Sequence, residues 1–255
     1  MIITKNQIYK ICKIAWEAGE KVLDIYSKKI KVYKKKDLSP VTMADLKSEE
    51  IIIRGLNKIF NKPIIFSEES NNVNKKKINN FWLVDPLDGT KEFIKKNGEF
   101  TINIAYIKNK KPYLGVIYSP FLKKTYVGTL KNTYELINKK KFKKILLKKN
   151  YNKIMIVSRS HSNKNENYKF VKKNNIKKTI FLGSSLKFCY LAEGKANIYP
   201  RSGTTYEWDT AAGHAIINGV GGKIKTSNGK ELKYGKKNLK NTNFIAITFN
   251  GNIKF

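Results

Sequence analysis

The stretch from Trp82 to Phe93, WLVDPLDGTKEF, decides how the rest of the chain is read. Its apolar run, Trp82-Leu83-Val84, has the composition of a buried strand and ends in two aspartates, Asp85 and Asp88, set three apart around Pro86. Pro86 keeps the backbone extended or turned, and Gly89 can take a conformation closed to other residues, so the two carboxylates can converge on one point. Like charges held that close need a proton or a cation between them. Taken alone, DPLDG is also a good Asx-turn, and at this level both readings stand.

Working outward, acids are scarce: 19 Asp and Glu stand against 52 Lys and Arg. They nevertheless collect at the ends of apolar segments. Glu68 and Glu69 close KPIIFSEES, a short strand upstream, and Asp209 opens WDTAAGHAIINGVGG, a helix in which it is either an N-cap or one more carboxylate for a cleft. Oxygen ligands without histidine or thiolate favour a hard ion, Mg²⁺ before Ca²⁺ or Mn²⁺. A cluster of such ions suits phosphate-ester hydrolysis, with phosphate bridging them. Gly89-Thr90 would begin a helix whose first amides face that phosphate. The absence of GxxxxGK and HExxH argues against a P-loop nucleoside triphosphatase and a zinc protease. A lone histidine is by default structural, and only His161 and His214 are present.

The flanking sequence reads as a layered α/β protein. Apolar spacing from 6 to 26 predicts an amphipathic helix, and Thr42, after Pro40, caps a second one running to about Phe60 with Asp45 in its first turn. EFTINIAYIKNKKPYLGVIYSP predicts an antiparallel hairpin, and KTYVGTLKNTYELI continues its sheet. IMIVSRS, KTIFLGSS, ANIYP and FIAITF predict further strands. NENYKFVKKN and SLKFCYLAEG predict helices, the latter stopped at Gly194, and Asn228-Gly229 marks a tight hairpin. The division expected is 1–150, carrying most metal ligands, and 151–255, carrying Asp209 and the substrate-selecting residues. The polar segment from Ser70 to Asn80 reads as a mobile loop.

With 255 residues and 41% hydrophobic content, the chain can bury a large core, which excludes a small disulfide-stapled domain. Cys12 and Cys189 fall in apolar helical patterns, the expectation for packed thiols in a reducing cytoplasm. No signal-like core and no membrane-spanning apolar run is read, so an intracellular protein is expected. The net charge of +33 predicts attraction to polyanions or anionic lipid, but lysine is spread throughout with asparagine and isoleucine, and a compositional bias accounts for it equally. No stacking motif accompanies it, so no specific nucleic-acid module is expected.

VTMADLKSEE, SEES, WLVDPLDGTKEF, SRSH, GSSLKF, YPR and EWDTAAGHA together resemble the inositol monophosphatase superfamily, most closely its bacterial 3'(2'),5'-bisphosphate nucleotidase branch. The resemblance implies an α/β/α/β/α sandwich, the sugar-phosphatase fold, with a mostly antiparallel first sheet and a second α/β half. It implies two or three Mg²⁺ ions held by Glu68, Asp85, Asp88, Asp209 and the Leu87 carbonyl, and lithium inhibition. Asp45 and Thr90 would activate the attacking water. Substrate contacts fall on Gly89, Thr90, Lys91, Glu92, His161, Ser184, Lys187, Arg201 and Asp209, with His161, Ser184, Lys187 and Arg201 on the 5'-phosphate and ribose side. The activity implied is hydrolysis of adenosine 3',5'-bisphosphate to AMP, with action on 3'-phosphoadenylyl sulfate, in support of sulfate assimilation. The alternatives are an inositol monophosphatase or fructose-1,6-bisphosphatase-like enzyme and, from another class, a basic RNA-binding protein. A cytoplasmic location, peripheral at the inner membrane, is also implied; oligomeric state stays open.

Overall fold

A computed structural model of the protein describes residues 2–35, 39–70, 78–147, 152–249 and 253–254. Residues 71–77 of the segment read as a mobile loop, and the expected division at 150/151, lie outside the described residues.

Two helices open the chain, α1 (Lys5–Tyr26) and α2 (Met43–Ile59), with the short strands β1 (Val32–Lys34) and β2 (Pro40–Thr42) paired antiparallel between them. Each helix starts at a threonine that closes a capping box, Thr4 with Gln7 and Thr42 with Asp45. A seven-stranded sheet follows: β3 (Ile65–Ser67), β4 (Asn80–Asp88), β5 (Thr101–Lys108), β6 (Lys111–Ser119), β7 (Lys124–Thr129), β8 (Thr133–Ile137) and β9 (Lys141–Lys144) in spatial order. Only β3 and β4 run parallel; the other pairs are antiparallel, among them the β5–β6 hairpin and its continuation into β7 and β8 that the sequence predicts. The turn after β4 leads into α3 (Thr90–Ile94).

The second sheet has the order β11-β10-β12-β14-β13, from β10 (Ile154–Ser158), β11 (Lys178–Leu182), β12 (Ile198–Arg201), β13 (Lys223–Thr226) and β14 (Phe244–Ile247). β10 runs parallel to β11 and β12, whereas β14 is antiparallel to both β12 and β13. The helices α4 (Lys164–Asn174), α5 (Leu186–Ala192) and α6 (Glu207–Gly219) connect these strands.

Strand alternation builds three cores. Trp82 and Val84 of β4 join Ile102 and Ile104 of β5 beneath α1 and α2, while Phe81 and Leu83 face the opposite way onto α5 and α6. That second core also takes in Ile156, Tyr199 and Phe244 from the second sheet, so α5 and α6 are a layer shared by both sheets. Met155 and Val157 point outward onto Phe170 and Val171 of α4. The result is the α/β/α/β/α sandwich. Among the described residues no helix is long and apolar enough to cross a membrane.

The seating of α6 on the first sheet depends on two glycines. A Cβ on Gly115 would strike the backbone of Ala212, and one on Gly128 the backbone of Ala215 and Ile216. Gly128→Val should therefore lower stability by about 2–3 kcal/mol, the usual cost of overpacking, read as a lower urea midpoint. An unchanged midpoint would mean the helix can leave the sheet without loss.

Candidate active site

In a regular strand, residues three apart face opposite sides, so Asp85 and Asp88 could not share a site. The structure resolves this with a bulge. β4 pairs Asp85 with Asn103 and resumes at Asp88 with Thr101, so Pro86 and Leu87 together oppose Ile102. Pro86 has no N–H to lose from the ladder, and its carbonyl accepts the Ser48 hydroxyl of α2 at 2.7 Å. Gly89 then turns the chain at φ 92°, a conformation that favours glycine, and α3 begins. Both aspartates consequently line one cleft of about 730 Å³.

Carboxylates form one wall of that cleft. Glu68 at the end of β3, Asp85 and Asp209 present oxygens that all lie within 4.8 Å of one another. The Asx-turn reading of DPLDG also holds, because Asp85 Oδ1 accepts the Leu87 N–H at 3.1 Å. Asp209 is the third residue of α6 rather than its N-cap; its Oδ2 accepts the Tyr206 N–H at 2.7 Å. Asp45 occupies the same position in α2, with Oδ2 accepting from the Thr42 N–H and hydroxyl, each at 2.7 Å. Its other oxygen, Oδ1, accepts the Thr90 hydroxyl at 3.0 Å. That hydroxyl also lies 3.2 Å from the Leu87 carbonyl oxygen. Asp88 stands beside the triad and accepts from Asn103 Nδ2 at 3.3 Å.

Burial pushes the Asp45 carboxyl up to about 6. Burial first, and then Glu68 and Asp88, hold Asp85 and Asp209 well above the usual carboxylate range. Asp88 is pushed to about 6 by burial although Lys187 and Asn103 pull it down. A concave, oxygen-only donor set that repels itself in this way fits a hard divalent cation, whose charge would offset the repulsion.

The facing wall is cationic. Lys187, only 5% exposed near the start of α5, donates to the Leu182 carbonyl at 3.3 Å and to the Ser184 carbonyl. Burial pulls its ammonium down to about 8 while Asp88 works to keep it charged. Ser184 precedes the helix in a left-handed turn at φ 48°, so it shares no helical face with Lys187 despite standing three residues before it. Arg201 ends β12, donating to the His161 carbonyl at 2.8 Å and the Thr204 carbonyl at 3.2 Å; its buried Nε has no partner. His161, Lys91 and Glu92 line the same cleft, with Lys91 and His161 exposed and Glu92 buried against Ser160.

All the residues singled out from the sequence for the site line this cleft except Asp45, which reaches it through Thr90. Several partners gave no such signal. Lys35 places its ammonium 2.6 Å from both Glu68 and Glu69, but nothing marks it among 52 cationic residues. Glu49 Oε1 accepts the Glu69 and Ser70 N–H groups, each at 3.1 Å, and so fixes the turn after β3. Asn103 accepts the Ser185 hydroxyl at 2.7 Å, which leaves Thr101 to donate to Ser185. An asparagine in the middle of an apolar strand was the one available sign of that relay.

Comparison with known proteins agrees with this architecture. Residues 4–250 match the inositol monophosphatase family model. The 3'(2'),5'-bisphosphate nucleotidase CysQ of Buchnera aphidicola is 45% identical over 238 residues, covering 91% of this chain and 89% of that protein. The protein of the same name from Escherichia coli K12 is 39% identical over 229 residues, covering 88% and 92%. The crystal structure of CysQ from Bacteroides thetaiotaomicron, described as a bacterial member of the inositol monophosphatase family, superposes with a TM-score of 0.80 at 36% identity, covering 95% of this chain and 97% of that one. The matched span runs from the cap of α1 past the end of β14, and the chain belongs to the inositol monophosphatase family.

Proposed function

We propose that the protein is a Mg²⁺-dependent 3'(2'),5'-bisphosphate nucleotidase that releases the 3'-phosphate of adenosine 3',5'-bisphosphate to leave AMP, and that it also accepts 3'-phosphoadenylyl sulfate. The observation that carries the reading is a cleft with two unlike walls: the Glu68, Asp85 and Asp209 carboxylates on one side and the buried Lys187 ammonium on the other. A substrate with one phosphate at the metal site and a second anion for Lys187 satisfies both. The named relatives at 39–45% identity support the same substrate.

Glu68, Asp85, Asp88, Asp209 and the Leu87 carbonyl would hold two or three Mg²⁺ ions, with Lys35 balancing charge at Glu68. Bound Mg²⁺ supplies charge neutralisation at the phosphoryl oxygens and a lowered pKa for water. Thr90, whose hydroxyl hydrogen points to Asp45 Oδ1, keeps lone pairs to orient a water. Asp45, raised to about 6, can take a proton near neutral pH through Thr90, whose hydroxyl would pass its own hydrogen to Oδ1 as it receives one from the water. The amides at Gly89 and Thr90, with Lys91, would steady the reacting phosphate. Lys187 uses two of its three hydrogens on the Leu182 and Ser184 carbonyls, leaving one for the 5'-phosphate, and Arg201 Nε is a second buried donor. Ser184 and His161 complete the nucleotide side, and Glu92 shapes the loop between the walls. An inositol monophosphate offers no second anion, so the buried cation is left without its partner.

The same reading gives most ligands to 1–150 and the substrate-selecting side chains to 151–255. It also includes sulfur metabolism as the setting, lithium inhibition and a cytoplasmic enzyme. There, an excess of lysine would draw the protein to anionic lipid by charge alone. The test is phosphate release from purified protein with Mg²⁺ on adenosine 3',5'-bisphosphate, inositol 1-phosphate and fructose 1,6-bisphosphate. The first should be hydrolysed at least about tenfold faster, a preference worth about 1.4 kcal/mol. A preference for either sugar phosphate would reassign the substrate. RNA binding without hydrolysis would remove the enzyme reading altogether.

A further inference from the structure

Two carboxylates beside the first sheet, Glu92 in α3 and Glu99 just before β5, are met by donors from the second. Ser160 Oγ donates to Glu92 Oε1 at 2.5 Å. Arg159 engages Glu99 as a fork, Nη2 to Oε1 at 2.6 Å and Nε to Oε2 at 2.7 Å. Glu99 Oε2 also accepts the Gly183 N–H at 2.7 Å, and Arg159 Nη2 donates to the Phe181 carbonyl at 2.7 Å. The pair thus grips the end of β11 on both sides of Leu182. The next residue, Ser184, is the left-handed one whose carbonyl receives the Lys187 ammonium.

Packing around this junction is close. A Cβ on Gly183 would lie 2.5 Å from Glu92 Cγ and 2.9 Å from the Glu99 carbonyl oxygen. A Cβ on Gly89 would lie 2.8 Å from that same oxygen. Residue 99 is therefore wedged between the turn that carries Asp88 and Thr90 and the turn that leads to Lys187.

We infer that Glu99 and Arg159 are positioning residues, whose forked ion pair between the two sheets sets the 183–187 turn, and with it the Lys187 ammonium, against the carboxylate wall. The anion that Lys187 holds follows from the nucleotidase reading, on which this inference rests. A serine held at φ 48° needs its surroundings to over-determine it. The clamp does so by fixing the peptide groups just before it. Arg159 is 43% exposed and Glu99 18%, so solvent screens much of their attraction, and the two-point geometry of the fork is what they contribute. A substrate bound at both walls registers any drift of that turn; one bound only at the carboxylate wall does not.

The experiment uses the full chain with Mg²⁺ and the variants Glu99→Gln and Arg159→Lys, which keep size or charge but lose the charged fork. Each should raise KM for adenosine 3',5'-bisphosphate roughly tenfold, a factor of about 1.4 kcal/mol, with kcat and adenosine 3'-monophosphate hydrolysis changed by less than about twofold. Amide hydrogen exchange should rise across 182–187 in both variants, because the Gly183 N–H loses its charged acceptor in Glu99→Gln, and in Arg159→Lys that acceptor loses the fork that aims it while the Phe181 carbonyl loses its donor. Equal losses on both substrates, or exchange at the wild-type rate, would overturn the clamp. A wild-type protein with no preference for the bisphosphate would overturn the nucleotidase reading instead. The clamp would then be decided by exchange at 182–187, where unchanged protection refutes it.

Discussion

Asp85→Asn is expected to abolish turnover at ordinary Mg²⁺ while making the metal-free protein more stable. The two effects have one source. Asp85 lies 1% exposed among Glu68, Asp88 and Asp209, and burial with their repulsion raises its carboxyl well above the usual range. Because the folded-state value exceeds the unfolded one of about 3.9, the folded chain binds more protons, and stability is lost as pH rises through the folded value. Asp88 and Asp45, both raised to about 6, act in the same direction. Asparagine keeps the acceptor for the Leu87 N–H but carries no charge, so with chelator present the variant should melt higher than wild type at pH 7 and nearly level with it at pH 4. Mg²⁺ should reverse the order, since a ligand at 100 times its Kd adds about 2.7 kcal/mol to a wild type that binds it. Losing one ligand removes several kcal/mol of charge stabilisation in the transition state, so turnover should fall about a thousandfold or more. Retained turnover, or a wild-type melting temperature indifferent to Mg²⁺, would take Asp85 out of the ligand set.

Lys187→Met should lower kcat/KM for adenosine 3',5'-bisphosphate by about 30- to 100-fold, the scale of a hydrogen bond to a charged group. Adenosine 3'-monophosphate should lose about threefold or less, because it has no second phosphate. Methionine preserves the apolar stem that packs at 5% exposure and removes a buried ammonium already drawn down to about 8. The variant should therefore fold. Equal losses on the two nucleotides would show that Lys187 serves the carboxylate wall, through Asp88, rather than the far phosphate.

The sequence made the strands of the first sheet legible because their two faces are covered by different cores, so apolar residues fall on both faces and the runs stand out: Phe81 and Leu83 one way, Trp82 and Val84 the other. The carboxylates were legible because acids are rare here and stop apolar segments. What could not be read is how an odd spacing puts two aspartates on one side, since the bulge is a property of β4 paired with β5. Lys187 shows the same limit. Its burial depends on β11 and α5 folding over it, while composition alone makes it one lysine in a crowd. Arg159 sat inside SRSH in plain view, yet its partner Glu99 is 60 residues away. The small β1–β2 ribbon and β9 were missed because VYK, PVT and KFKK are too short or too basic to alternate.

Asp45 and Asp209 each stand third in a helix and spend one oxygen on the backbone N–H of the residue before it, both at 2.7 Å. That bond locks the rotation of the carboxylate, so the Thr90 hydroxyl at Asp45, and a cation at Asp209, would meet an oxygen already aimed, with no side-chain freedom lost at the moment of binding. The positive end of the helix also eases the desolvation of the acid it carries. Mutational tolerance is narrowed as a result. A glutamate at 209 would keep the charge but, one methylene longer, could not both cap and aim. At these two positions, fraying a helix and disarming the cleft would be one and the same genetic event.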